Sequence, residues 1–218
     1  MALSKQIVVL SKSWKSGGYC VAGREVLPAT NGFNFGRWIR PVSSEGPIRF
    51  DGDGPQLSDI IKVPLLRHQP DSSQPENYLI DADRSWKKVK KVEPRQLRDL
   101  VERPNSLWGE GCCVAHSVIT RTPPSQSLYL VRPNNLYLNL YWQGKKKIKV
   151  DFDYNGISYA LNLTDPVIHR EYTQGQFVEP DEIKQFRLPR GDDYYLCVSL
   201  TAEWENRHYK LVASIIEA

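Results

Sequence analysis

What the chain lacks narrows the reading first. No apolar run approaches the length of about 18 residues that a membrane-crossing helix needs, and no basic N-terminal segment leads into a long apolar stretch. The expectation is a cytoplasmic protein with no membrane partner. Cysteine is scarce: Cys20, Cys112, Cys113 and Cys197 make one adjacent pair and two singles, which is not the spacing of a disulfide framework. They read as reduced, buried thiols. Cys112, Cys113 and His116 would begin a metal site, but no second Cys-x-x-Cys or His pair at zinc spacing completes it. No metal and no cofactor is expected.

Catalytic signatures are missing too. The chain has no Walker loop, no nucleophile elbow, no His-Glu-x-x-His helix and no deaminase His-x-Glu with Pro-Cys-x-x-Cys. Its four histidines, His68, His116, His169 and His208, are widely spaced. The acid pairs Asp51/Asp53, Asp151/Asp153 and Asp192/Asp193 are each local, whereas a two-metal nuclease site needs carboxylates converging from several segments. Asp51-Gly52-Asp53-Gly54 lacks the further oxygen ligands of a calcium loop and reads as a turn. Charge of one sign is only mildly in excess, at +4 overall. Residues 1–120 hold 17 Lys/Arg against 13 Asp/Glu and residues 121–218 hold 12 against 12, so the excess sits in the first half. The pI of about 8.8 falls short of a strongly basic nucleic-acid binder.

What is present is aromatic and β-prone. Six Trp, eleven Tyr and six Phe in a chain that is 40% hydrophobic mark a folded protein rich in strands. A length of 218 residues suits two domains of about a hundred residues each. Arg121-Thr-Pro-Pro-Ser-Gln-Ser is the best linker, which divides the chain into 1–120 and 121–218. It is short, so the two halves are expected to pack together.

The first half is arranged around residues 11 to 42. An apolar strand, Ile7 to Leu10, runs into Ser11-Lys-Ser-Trp-Lys15, and Gly17-Gly18 permits a tight turn. Strands over Tyr19–Val26 and Arg37–Val42 follow. Lys12, Lys15, Arg24, Arg37 and Arg40 are thereby interleaved with Trp14, Tyr19 and Trp38. Cations that reach phosphates beside aromatic faces that stack bases are what a single-stranded nucleic-acid surface needs. The alternative is that Trp14 and Trp38 are core or rim aromatics and the cations are solvated strand edges. Trp86 lies in the densest basic run of this half, with Lys87 and Lys88, and reads either as a phosphate-contacting patch or as a solvated helix face or loop. Asp59–Leu66 is a strand with Pro64 at an edge or bulge, Tyr78–Ile80 a short strand, and Glu93–Glu102 a helix with Leu97, Leu100 and Val101 on one face. Gly109–Thr120 holds a small apolar run that would close the first domain.

The second half alternates more cleanly. Leu136, Leu138, Leu140 and Trp142 share one face of a strand, and Ile148, Val150, Phe152 and Tyr154 share one face of the next. Asn155-Gly156 is a strong two-residue hairpin signal, leading to a strand through Tyr159, Leu161 and Leu163. A polar connection with a short helix around Pro180–Phe186 precedes strands over Tyr194–Thr201 and His208–Ile216. A three-strand meander, a helical connection and a hairpin is the OB order. The first half departs from it, with a late helix and long loops. The fold expected is mainly β: two packed OB-like barrels with short helices, the first more decorated.

The blocks Ser-Lys-Ser-Trp-Lys-x-Gly-Gly-Tyr-Cys-Val-Ala-Gly at 11–23 and Gly-Arg-Trp-Ile-Arg-Pro-Val-Ser at 36–43 carry a resemblance. With Asp51-Gly52, Asp59–Pro64, Gln74–Tyr78 and Tyr209–Ala213, they resemble the prokaryotic dual OB-domain family over most of the chain. The resemblance implies two OB-like barrels and a nucleic-acid-binding role, suggested in connection with prokaryotic antiviral defence, and supplies no catalytic residues. The function expected is nucleic-acid binding by the first barrel, DNA or RNA, with preference for a single strand. Lys12, Lys15, Arg24, Arg37, Arg40, Lys87 and Lys88 would contact phosphate and Trp14, Trp38 and Trp86 would stack bases, with a protein partner supplying any catalysis. Two other readings stand beside it: a nucleotide or modified-base sensor with a pocket between the barrels, and a metal-dependent nucleic-acid-processing enzyme.

Overall fold

Successive side chains of a strand point to opposite faces, so an alternating strand that is apolar on one face still has a second face to account for. The computed structural model of the chain describes residues 3–15, 17–30, 32–188 and 194–218, with the side chains of Lys15 and Pro94 outside that description. The acid pair Asp192/Asp193 lies outside the described residues. The first barrel is built from β1 (Leu3–Lys15), β2 (Gly18–Leu27), β3 (Asn34–Val42), β4 (Asp59–His68) and β5 (Asn77–Ile80). They lie in the order β1-β2-β3-β5-β4, and β4 returns to β1. Leu3–Val8 of β1 pair with β4 while Ile7–Lys15 pair with β2, so one long strand closes the sheet on itself. With β3 and β5 parallel, this is a complete OB circuit. Ile7, Val9, Val21, Ile39, Ile61, Val63 and Leu65 fill its interior.

The first half therefore keeps the OB strand order that its long loops obscured. What it lacks is a helix between β3 and β4. Residues 43–58 take that place, and Ile48 and Phe50 pack against the barrel core instead. Ile48 exchanges backbone hydrogen bonds of 2.7 and 3.1 Å with Tyr19. Gly23 answers a further constraint. The β1–β2 register shifts between Val9 and Ser11, and a Cβ on Gly23 would lie 1.9 Å from the Val8 carbonyl oxygen. Only glycine permits that backbone approach.

The lysine-rich run expected as a helix face or loop is an edge strand, β6 (Lys87–Lys91), antiparallel to β4 and exposed at all five positions. Lysine on both faces hides the alternation from the sequence, and lysines also protect an open edge from pairing with another chain. The helix expected over 93–102 is a 3-10 helix at Pro94–Leu100, with Leu97 and Leu100 buried.

In the second half, β8 (Leu128–Val131) and β9 (Asn134–Trp142) flank Arg132-Pro133 and act as one bent strand. β8 pairs with β13 (Tyr194–Leu200) and β9 with β10 (Lys146–Tyr154). The circuit continues through β11 (Ile157–Leu163), parallel to β14 (Arg207–Glu217), which pairs antiparallel with β13. Asn155 and Gly156, at φ +50° and +79°, make the expected hairpin between β10 and β11. The connecting helix is α2 at Pro166–Thr173; here the numbering counts α1 (His116–Arg121) before it. Asp165 caps α2, accepting from the Val167 and Ile168 N–H groups at 2.9 and 3.2 Å, and Pro166 opens its first turn. The segment expected as a helix around Pro180–Phe186 is instead β12 (Ile183–Arg187), on the edge of β9 left free where β8 bends away. Its polar residues gave no strand signal; only Phe186 packs inward. The short β7 (Cys113–Ala115), expected to close the first barrel, pairs with β14 of the second.

The outward faces decide how the barrels meet. Val8, Leu10, Ala22, Trp38 and Ile60 of the first barrel form one buried cluster with Leu128, Leu130, Tyr195, Cys197 and Ile216 of the second. Cys197 is buried there, with its thiol pushed up to about 12 by burial. The other three cysteines are also free, but Cys112 is exposed and Cys20 and Cys113 are half-buried, so the expectation of uniformly buried thiols fails for them.

Lys210 of β14 is 1% exposed and has no ion pair among the described residues. Its ammonium donates to the Gly109 and Glu110 carbonyls at 2.6 and 2.9 Å. Burial pushes its pKa down to about 8, against the pull of Cys112, Cys113 and Glu110. Between about 8 and 10.5 the unfolded chain binds more protons than the folded one, so this group makes stability rise with pH across that window. The rise is about 3 kcal/mol. Urea unfolding of wild type and Lys210→Met at pH 7.5 and 10 is expected to show the rise only in wild type. Parallel pH profiles would refute it.

Candidate nucleic-acid interface

The residues that looked most like a ligand surface in the sequence fall into three environments. Trp38 and Arg40 point outward on β3, as Arg24 does on β2, whereas the shifted register of β1 sets Lys12 opposite Val21, on the face of Tyr19. The face of Trp38, Arg40 and Arg24 is the one against which the second barrel packs. Trp38 is 2% exposed, and its indole N–H donates to Glu102 at 3.0 Å. Arg24 donates to Glu102 at 3.3 Å and to the Gly36 carbonyl at 2.6 Å. Glu102 also accepts from Gln126 at 2.7 Å and from the Leu130 N–H of β8 at 3.1 Å. Arg40 meets Glu76 at 3.1 Å, and reaches Ser127 at 2.8 Å and Ser199 at 3.3 Å across the interface. Glu76 in turn accepts from the Ser127 hydroxyl and, at 3.2 Å, from its N–H.

Lys12 is 4% exposed and donates to the Asp53 carbonyl. Burial lowers its pKa, with Asp53, Asp165 and Asp59 pulling upward and Arg170 adding to the fall. No base reaches Trp38, and no phosphate reaches Lys12 or Arg40, while the barrels stay together. Arg24, Trp38 and Arg40 of the motif that suggested a binding surface belong to the joint between the domains.

A second group lines a groove of 710 Å³ beside Phe50 and Trp86, whose rings meet edge-on at 5.1 Å. Its walls carry Glu45, Asp51, Asp59, Asp81 and Asp83 against Arg49, Arg84 and Lys88. Lys88 is held by Asp59 at 2.6 Å and Arg84 by Asp81 at 4.0 Å. That balance repels a phosphate backbone. Trp86 is half-buried and Lys87 exposed on the neighbouring edge strand. Arg37 is exposed but bonds the Tyr78 hydroxyl.

Trp14 is the third environment. It is 50% exposed, meets Tyr19 edge-on at 4.9 Å, and its backbone N–H donates to the Thr164 carbonyl of the second barrel at 2.9 Å. The Lys15 backbone ends β1 beside it, while the side chain lies outside the described residues. Trp14 forms one wall of a 530 Å³ cleft whose other walls come from β10, β11 and α2. Lys145, Lys147, His169 and Arg170 line it. None of the three Lys/Arg forms an ion pair among the described residues. Lys147 donates to the neutral Gln143 at 2.7 Å, and His169 contacts the Lys146 carbonyl at 3.2 Å. The one carboxylate in the lining, Asp165, is 1% exposed and occupied by the N–H groups of Val167, Ile168 and Ile215. Burial raises its pKa, against those three bonds and Lys12.

The cleft opens beside the outward face of β9, β10 and β11, which no part of the first barrel covers in the way the second covers β1–β3. On this face Tyr141 lies opposite Lys147, and Asn139 and Asn162 flank Lys149. Tyr137 lies under the Arg187 guanidinium, 5.9 Å from its centroid. Asp151 accepts a hydrogen bond from Asn139 at 2.6 Å. Asp153 accepts from Asn135 at 2.7 Å and Ser158 at 2.6 Å, which hold its carboxyl below the usual range. These acids are tied into strand-to-strand bonds. Among the described residues no three His, Cys, Asp or Glu side chains converge on a metal position. His116 and His208, far apart in sequence, do meet, at 3.0 Å.

Sequence reasoning passed over Lys145, Lys147, Lys149, His169, Arg170 and Arg187. Alternation sets Lys147 and Lys149 on the strand face of Asp151 and Asp153, a mixture of charges that has the form of a solvated barrel exterior. Nothing local links Trp14 to a turn 131 residues later.

Two closed OB barrels joined through an outward strand face, with the strand face of the second left open, define the class of this protein. The chain matches the family described as "Dual OB-containing domain" over residues 5–215 and belongs to that family, as its sequence blocks suggested. No curated protein matches it. Among solved structures, the crystal structure of the tetrameric p202 HIN2 is similar over 99% of this chain and 93% of that one, with 11% identity and a TM-score of 0.34. No residue correspondence follows from so loose a likeness.

Proposed function

We propose that this protein binds nucleic acid, preferring a single strand, along the outward face of β9, β10 and β11. The observation that carries the reading is the uncovered OB strand face whose cations form no ion pair among the described residues and lie between aromatic rings: Lys147 and Lys149 beside Tyr141, and Arg187 over Tyr137. In an OB barrel the second and third strands, here β10 and β11, and the loop between the first two, here Gln143–Lys145, form the usual oligonucleotide surface. The first barrel's matching face is occupied by the second barrel, so the binding expected of it passes to its neighbour. Cations outside the Trp14 cleft favour a polymer over a free small ligand as the main partner.

Fluorescence anisotropy with labelled single-stranded DNA, single-stranded RNA and duplex tests this. Tighter binding of a single strand, weakening as salt rises, is the expected result. Lys147→Glu with Lys149→Glu should lower affinity at least tenfold and flatten the log–log salt slope by about 1.4 units, since each single-strand phosphate contact contributes about 0.7. Unchanged binding by the folded double variant would remove the face from consideration.

A further inference from the structure

We propose that the cleft beside Trp14 is a subsite for one nucleotide, which it takes as a free nucleoside 5′-monophosphate as well as from a bound strand. The proposal deepens the strand-binding reading and rests on it. The cleft measures 530 Å³, within the range of about 300–1,000 Å³ typical of small-ligand sites. Its chemistry is divided as a nucleotide's is. Trp14 and Pro166 offer an aromatic and apolar wall, and Lys145 and Arg170 offer charge, the one carboxylate in the lining, Asp165, being buried and held by the N–H groups of Val167, Ile168 and Ile215. A base against the indole would place its phosphate within reach of those cations, both of which are exposed.

The wall is positioned, not merely present. The Trp14 backbone is tied to Thr164 of the second barrel, and its ring is braced edge-on by Tyr19. Both barrels are therefore needed to make the site. A neutral nucleoside would lack the anchor at Lys145 and Arg170, and inorganic phosphate would lack the stack.

The test uses the full chain and calorimetric titration with AMP, GMP, CMP and UMP, with adenosine and inorganic phosphate as controls, beside displacement of a labelled oligonucleotide of about 12 nucleotides. Nucleotides should bind, and Trp14→Ala should weaken them about tenfold or more while Trp14→Phe retains most of the affinity. Lys145→Glu with Arg170→Glu should do the same. Lys149→Glu, outside the cleft, should weaken the oligonucleotide and leave the mononucleotides unchanged. If the oligonucleotide binds but no monophosphate does up to about 10 mM, the subsite is refuted and the strand reading stands. Phosphate binding as tightly as AMP would refute base stacking and so the proposal. If nothing binds, both readings fall.

Discussion

Trp38→Ala is expected to destabilise the protein by about 4 kcal/mol without abolishing strand binding by the fraction that remains folded. The indole is buried where three elements meet, so its removal leaves a cavity between the barrels, and such truncations cost about 3–5 kcal/mol. It also withdraws one of the donors that satisfy Glu102, whose remaining partners are Arg24, Gln126 and the Leu130 N–H. Trp38→Phe separates the two contributions: most of the volume stays, only the bond to the carboxylate goes, and the loss should be about 2 kcal/mol. Urea unfolding measures both. Trp14→Ala is the counterpart, since a half-exposed ring contributes little to the fold, and under about 1 kcal/mol should be lost. A Trp38→Ala protein of near wild-type stability that no longer binds nucleic acid would overturn the assignment and restore Trp38 to the ligand surface.

Glu76→Ala should cost about 3–5 kcal/mol, for a different reason. Glu76 and Arg40 are a buried ion pair with side chains 4% and 11% exposed. The penalty of removing one partner is mostly that of leaving the other charge desolvated and alone. The Ser127 hydroxyl and N–H lose their acceptor as well. Replacing both members of the pair by apolar residues, Arg40→Met with Glu76→Leu, should recover a large part of the loss, because no uncompensated charge remains. A double-mutant cycle therefore should be strongly non-additive. Additive effects, or a loss below 1 kcal/mol from Glu76→Ala, would mean that the interface tolerates an open guanidinium and that Arg40 is not part of the joint.

Both predictions describe one device. Two carboxylates, each reached by donors from both sides, join barrels whose apolar faces already exclude water. Hydrophobic contact is non-directional, while Glu102 and Glu76 fix which strands lie opposite one another. The consequence for function is indirect and large. By committing β1–β3 to the joint, the fold leaves the face of β9–β11 as the open OB surface and sets Trp14 at its end.

The sequence alone determined the β class, two barrels, and most strands of the second half, because those rest on local rules. Period-two alternation from Leu136 to Leu163 and the Asn155-Gly156 turn need no partner to be read, and the blocks at 11–23 and 36–43 identified the family. Polar elements were misread for the same reason: β12 and β6 lack an apolar rhythm, and α2 is announced only by Asp165-Pro166 at its start. What tertiary structure decided is which outward face meets water. Alternation assigns Trp38 and Arg40 to the face opposite Ile39 without saying what covers it, and Trp14 and Trp38 look alike in a basic strand. Their fates diverge because Glu102, Leu130 and Tyr195, far along the chain, close over one and not the other. Charge behaves the same way: the basic first half buries or pairs several of its cations, whereas the electrically balanced second half leaves Lys145, Lys147, Lys149 and Arg170 free of ion pairs among the described residues.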